Sequence, residues 1–154
     1  MSDQRIKIMV QLEDFDQSAE INLMTKGHTD IGAVATFTGL CRGEGDTLNA
    51  LELEHYPGMA ESEIKSAAEE AVARWPIDGL TVIHRYGKIA PGAQIVLVIA
   101  TSRHRDAAFD GARYVMDFLK TNAPFWKKEH RVDGGDASWV DAREEDEEAK
   151  KRWR

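Results

Sequence analysis

Residues 93–121 read AQIVLVIATSRHRDAAFDGARYVMDFLKT, and the two halves of this stretch decide the architecture. Ala93–Thr101 is apolar at successive positions, which predicts a strand covered on both faces and therefore central in its sheet. From about Arg105 to Thr121 the apolar residues fall at helical spacing, as Ala108, Phe109, Ala112, Val115, Met116 and Leu119. That stripe predicts a long helix with one face on the core, stopped by Asn122 and Pro124.

The pattern continues outward in both directions. Upstream, Leu80–Tyr86 predicts a strand, with Pro91-Gly92 as the turn before the next one. A second helix follows Pro57, which suits a first helical turn. Its stripe is Ile64, Ala67, Ala68, Ala71, Val72 and Trp75, and Pro76 ends it. Asn49–Tyr56 alternates Leu51, Leu53 and His55 against Glu52 and Glu54, the mark of a half-buried strand. Gly32–Cys41 and Ile6–Val10 predict two more strands, and Ser18–Lys26 a short helix ended by Gly27. Downstream, Phe125–Val132 predicts a strand, residues 133–136 a turn, Ala137–Val140 a further strand, and the charged tail from Asp141 a helix. This order predicts an α+β fold in one domain, with an antiparallel or mixed sheet covered by two main helices.

Composition fits that picture. The chain has 154 residues, 42% hydrophobic and 31% charged, enough to bury a core without staples. Its single cysteine, Cys41, cannot form an internal disulfide, so a reducing, cytoplasmic setting is expected. No secretory signal is visible near Met1, and the longest dense apolar run, Ile95–Ala100, is too short to span a bilayer. A net charge of −7 argues against general nucleic-acid binding. From Arg103 to Arg131, however, seven Lys or Arg stand against four acids. A local basic window in an acidic protein points to an anionic ligand at one place, although charge alone favours a solvated mixed face.

Three constellations carry candidate chemistry. Thr101-Ser102-Arg103-His104-Arg105 leaves the buried strand and opens the long helix. Ser102 or Thr101 is a candidate N-cap, and the cations that follow have the wrong sign for the helix dipole. Free N–H groups with His104 and Arg105 suit a phosphate or carboxylate; the plain alternative is pairing with Asp106 and Asp110. Lys120 to Glu129 is the second. Lys120 suits the last helical turn, and seven residues span at most roughly 24 Å, so Lys120 and Lys127 can approach one pocket. Alternation puts Phe125, Lys127 and Glu129 on one face of the strand and Trp126, Lys128 and His130 on the other. A lysine beside another cation gives up its proton more readily and can act as acid, base or nucleophile. The third is Thr36 to Arg42, where Cys41 is a candidate nucleophile or, by preference, a small apolar residue at a strand end. The five histidines show no metal-ligand spacing.

Five stretches carry a resemblance: Phe37-Thr38-Gly39-x-x-Arg42, Leu53-Glu54-His55-Tyr56-Pro57-Gly58-Met59, Val82-Ile83-His84-Arg85-x-Gly87, Thr101-Ser102-x-His104-Arg105, and Leu119-Lys120-x-x-Ala123-Pro124-Phe125-Trp126-Lys127-Lys128-Glu129. In this order and spacing they resemble the catalytic, large subunits of molybdopterin synthase. The resemblance spans about residues 30–153. It implies an α/β-hammerhead fold, a dimer of large subunits, and a small ubiquitin-like partner on each, ending in a Gly-Gly thiocarboxylate. That heterotetramer would move sulfur onto cyclic pyranopterin monophosphate to form the dithiolene of molybdopterin, with no metal or dissociable cofactor. Matched position by position, Lys120 and Lys127 correspond to essential lysines. Arg42, His104 and Arg105 correspond to substrate-binding positions, and Lys128 and Glu129 flank the pocket. Phe37, Leu40 and Cys41 lie beside them, Cys41 where the family places an apolar residue. The expected roles are phosphate binding by Arg42, His104 and Arg105, orientation of the pterin by Lys127, and proton transfer by Lys120. The competing readings are a Cys41 persulfide sulfurtransferase, a non-catalytic module for a ubiquitin-like tail, and a single-stranded nucleic-acid binder.

Overall fold

The computed structural model describes residues 5–43, 48–122, 125–131, 138–140 and 153. Along the chain these form β1 (Arg5–Gln11), α1 (Gln17–Thr25), β2 (Ala33–Leu40), β3 (Leu48–His55), α2 (Met59–Arg74), β4 (Ile77–Arg85), β5 (Gly87–Ile89), β6 (Gln94–Ser102), α3 (Arg105–Thr121), β7 (Phe125–Arg131) and β8 (Ser138–Val140). The strands make two four-stranded sheets, in the orders β1-β4-β6-β2 and β5-β3-β7-β8. The first is mixed, because β1 runs parallel to β4 while β2 and β6 are antiparallel to their neighbours. The second is antiparallel throughout. The α+β class expected from the sequence is borne out, with two sheets in place of one.

β4 and β6 are central in the first sheet, and their side chains divide between its two faces. Leu80, Val82, Val96, Val98 and Ala100 pack under α2 and α3 with Ile64, Ala68, Ala71, Ala108 and Val115. Ile83, Leu97 and Ile99 face the other way, under Met24 of α1. Covering both faces is what lets these two strands be apolar almost without alternation. Burying a side chain of leucine or isoleucine size is worth about 1.5–3 kcal/mol, so this double-sided pair anchors the molecule.

Several expectations are corrected in detail. Pro57 precedes α2 rather than sitting in its first turn. The N-cap is Gly58, with φ 86, and its N–H donates to the Glu61 carboxylate at 3.3 Å. Phe109 is exposed, and Ala107 and Gly111 complete the buried face of α3 instead. A residue one position beyond the seam is turned about 100° from it. Trp75 is the C-cap of α2, where it meets Tyr114 and Trp153 edge-on. The short β5 was not foreseen. The Pro91-Gly92 turn is present: Ala93 N–H donates to the Ala90 carbonyl at 3.0 Å, and Gly92 has φ 87, the glycine-favouring position of a type II turn. The turn expected at residues 133–136 lies outside the described residues, as does the tail helix apart from Trp153. No helix among the described residues is long and apolar enough to cross a membrane.

Candidate active site

At one end of the first sheet, β4 finishes, β6 begins and β2 finishes side by side. His84, Val96 and Gly39 form a row across these three strands. Against that row lean the last turn of α3 and the β3–β7 pair of the second sheet. The space enclosed is a cavity of about 160 Å³. Its walls are largely aliphatic, including Leu51, Leu53, Ile95, Met116 and Leu119, and its polar side chains include Lys120, Lys127 and His84. There is no room to spare at Gly39, where a Cβ would lie 2.8 Å from a Val96 methyl.

Each lysine arrives by a local rule. Lys120 ends the helix whose neighbour Leu119 is buried, and its charge suits the C-terminal end of the dipole. Lys127 pairs across the ladder with Leu53, a buried residue, and alternation turns it with Phe125 toward the cavity. The expectation that the two lysines approach one pocket is met. In a wall of low polarizability, an anion between them is held more strongly than in water.

Alternation also separates Lys127 from its neighbours. Lys128 lies opposite Glu52, on the other face of β7. There His130 Nε2 meets Glu52 at 2.8 Å, and Trp126 stacks edge-on with exposed Tyr56. Glu129 forms an ion pair with Arg131. Lys128 is thus turned from the cavity, and Glu129, on the Lys127 face, is held by Arg131; neither lines the cavity.

At the end of β2, Leu40 lines the cavity. Phe37 is partly exposed on the same strand, its ring 3.5 Å from where a Gly39 Cβ would stand. Arg42 is exposed two residues beyond Leu40. Cys41 turns inward instead. It is 3% exposed and packs with Leu53 and Ile89, behind the wall that Leu53 forms and not itself in the lining.

His104 and Arg105 are not brought to this cavity. His104 is the N-cap of α3 and Lys120 lies in its last turn; sixteen residues of helix separate them by about 24 Å. β2 runs the same way, with Ala33 beside Ser102 and Leu40 beside Gln94, so Arg42 lies at the lysine end and His104 at the far end. A single chain cannot hold one phosphate with Arg42, His104 and Arg105 together. Neither Ser102 nor Thr101 is the N-cap. The Ser102 hydroxyl donates to the Pro76 carbonyl at 2.8 Å and accepts only a long 3.4 Å bond from His104 N–H.

His84 is the residue that sequence reasoning passed over. Its histidine spacing carries no metal signal; the informative feature is an imidazole that follows Leu80, Val82 and Ile83 on a doubly covered strand. Its Nδ1 lies 2.9 Å from the Arg85 carbonyl and its ring stacks on Phe125 with centroids 3.9 Å apart. Burial pushes its pKa down to about 4, and the charges of Lys127 and Lys120 push the same way.

Known proteins share the sequence and fold of this chain. The family model described as MoaE protein matches residues 10–122. The molybdopterin synthase catalytic subunit of Mesorhizobium japonicum is 60% identical over 147 residues, covering 96% of this chain and 92% of its own. Among solved structures, the molybdopterin biosynthesis MoaE protein from Burkholderia ambifaria MC40-6 superposes with a TM-score of 0.81 at 46% identity, covering 96% of this chain and 97% of that one. The complex of subunits 1 and 2 of the molybdopterin-converting factor from Helicobacter pylori 26695 shares the fold, with a TM-score of 0.69 at 20% identity over 90% of each chain. With the matched model spanning most of its length and the whole fold superposing, this chain belongs to the MoaE protein family.

Proposed function

We propose that this chain is the catalytic subunit of a molybdopterin synthase, a sulfurtransferase of molybdenum-cofactor synthesis acting in the cytoplasm. Sulfur comes from the C-terminal thiocarboxylate of a small ubiquitin-like subunit and goes to cyclic pyranopterin monophosphate. The observation that carries this reading is the convergence of Lys120 and Lys127, from two different elements, on one aliphatic-walled cavity.

The cavity's size supports a division of the two reactants. At about 160 Å³ it is smaller than the roughly 300–1,000 Å³ of ordinary small-molecule sites. A slender chain end fits inside, and the larger pterin lies across the mouth near Arg42. Both reactants are anionic, so the two ammonium groups attract each of them. Lys120 moves protons as sulfur leaves the acyl carbon and water returns that carbon to a carboxylate. Lys127 orients the pterin. His104 and Arg105 join the phosphate site from a second copy of the chain, since their own α3 holds them about 24 Å from Lys120.

Turnover of purified protein with thiocarboxylated small subunit and cyclic pyranopterin monophosphate tests the reading. Wild type and Cys41→Ser are expected to make product, whereas Lys120→Ala should lose about 100-fold or more in rate while folding normally. A Lys120→Ala protein that keeps most of its rate overturns the lysine assignment. Loss of all activity in a folded Cys41→Ser protein would instead favour persulfide chemistry, which the burial of Cys41 among Leu53 and Ile89 argues against.

A further inference from the structure

A helix is loosest at its ends. Its last four carbonyls lack a partner within the helix, and terminal turns open most readily. Lys120 stands in the last turn of α3, so its place in the cavity depends on what holds that turn. On the inner side, Met116 and Leu119 are buried in the main core. The turn itself closes with the Asn122 N–H on the Phe118 carbonyl at 2.7 Å. The Thr121 hydroxyl donates to the Asp117 carbonyl at 2.8 Å.

The outer side of this helix end faces a second hollow, of about 190 Å³. Met116, Leu119 and Lys120 line the lysine cavity, Asp117, Phe118 and Asn122 line the hollow, and Thr121 lines both. The end of α3 is therefore the partition between the two spaces. Trp153 closes the hollow from outside, and contacts of three kinds seat it there. Its indole N–H donates to the Asp117 carboxylate, and a charged acceptor makes such a bond strong. Its ring lies edge-on to Trp75 and Tyr114, with centroids 5.6 Å from each, a favoured aromatic geometry. Its carbonyl accepts from Arg74 Nη1 at 3.5 Å, while the Arg74 guanidinium sits 4.8 Å over the Tyr114 ring. Arg74 and Trp75 end α2. Trp153 thus joins the end of α2 to the end of α3.

We infer that Trp153 is a positioning residue for sulfur transfer: seated on the end of α2, it grips Asp117 and keeps the last turn of α3, with Lys120, closed on the lysine cavity. Trp153 does not line that cavity, so it acts through Lys120 and not on the reactants. Its effect belongs to the rate and not to pterin binding, because a reacting group displaced by about 1 Å can lose on the order of 100-fold in rate. The inference rests on the proposed function for the identity of the reaction, but the grip on Asp117 does not depend on it.

Trp153→Phe separates the grip from the packing. It keeps a ring for Trp75 and Tyr114 and removes the N–H that holds Asp117. In the reconstituted turnover assay kcat is expected to fall about fivefold or more, with KM for the pterin within about twofold of wild type. A kcat within about twofold of wild type overturns the inference. In an Asp117→Ala background the same substitution should lower kcat no further, whereas an equal loss in both backgrounds overturns the pair as the source of the effect. Amide hydrogen exchange of the full chain, followed by NMR, supplies a readout free of turnover. In Trp153→Phe the amides of Lys120, Thr121 and Asn122 should exchange about fivefold faster or more, while that of Val115 stays within about twofold. Uniform acceleration along α3, the mark of a merely structural role, overturns the inference, as does no acceleration at all. If wild type makes no product while the last turn alone loosens, the proposed function fails and the grip stands.

Discussion

Protonating His84 would put a third positive charge beside Lys120 and Lys127 in a wall of aliphatic side chains. In the unfolded chain the same imidazole titrates near 6.5; in the folded protein, burial lowers its pKa to about 4. Between those values the unfolded chain binds more protons, so stability falls as pH drops from about 6.5 toward about 4 and is unaffected by this group above that window. The full effect is of order 3 kcal/mol. Urea melts at pH 7 and pH 4.5 should show a stability loss in wild type that is smaller in His84→Gln; equal losses would place the acid sensitivity elsewhere. At this scale the sequence was partly legible. Lys120 and Lys127 could be found because a last helical turn and strand alternation are local rules. His84 could not be placed in the cavity wall from sequence, because that depends on the second sheet closing over it.

Between β2 and α3 the backbone leaves no slack. A Cβ on Gly32 would lie 2.2 Å from the Arg103 carbonyl oxygen, and Gly32 N–H donates to the Ser102 carbonyl at 2.9 Å. Gly32→Ala must therefore push the start of β2 away from the turn that launches α3. A loss of about 2 kcal/mol or more is expected by denaturant titration; a neutral result would mean the turn yields freely. The helices and most strands were legible because their periodicity reports which side is covered. The exceptions were set by contacts beyond the element. Phe109 fits a helical stripe by spacing, but α3 lies on β6 and β2 through Ala108, Gly111 and Ala112, and the ring is left outside. β5 is three residues long, too short for any alternation to be read, and exists because β3 offers it an edge.

For the molecule as a whole, the separation of His104 and Arg105 from the lysines is a statement about assembly. Two defective chains should complement each other if a second copy supplies the far end of α3. Mixing or co-expressing Lys120→Ala with Arg105→Ala is expected to restore turnover that neither has alone; no recovery in a verified mixed dimer would confine the site to one chain. The motif at Thr101–Arg105 reads in the sequence as a candidate anion site, but its distance from the lysines could not be read there, since it depends on how α3 lies along the sheet.

The two lysines also belong to different bodies: Lys120 ends a helix that rides on the first sheet, and Lys127 stands in the second. Their spacing is thus a gauge of how the sheets are aligned. A substitution far from the cavity that shears one sheet against the other by an ångström would leave every element intact and still detune the catalyst. In this protein, rate is expected to report sheet alignment earlier than any melting curve does.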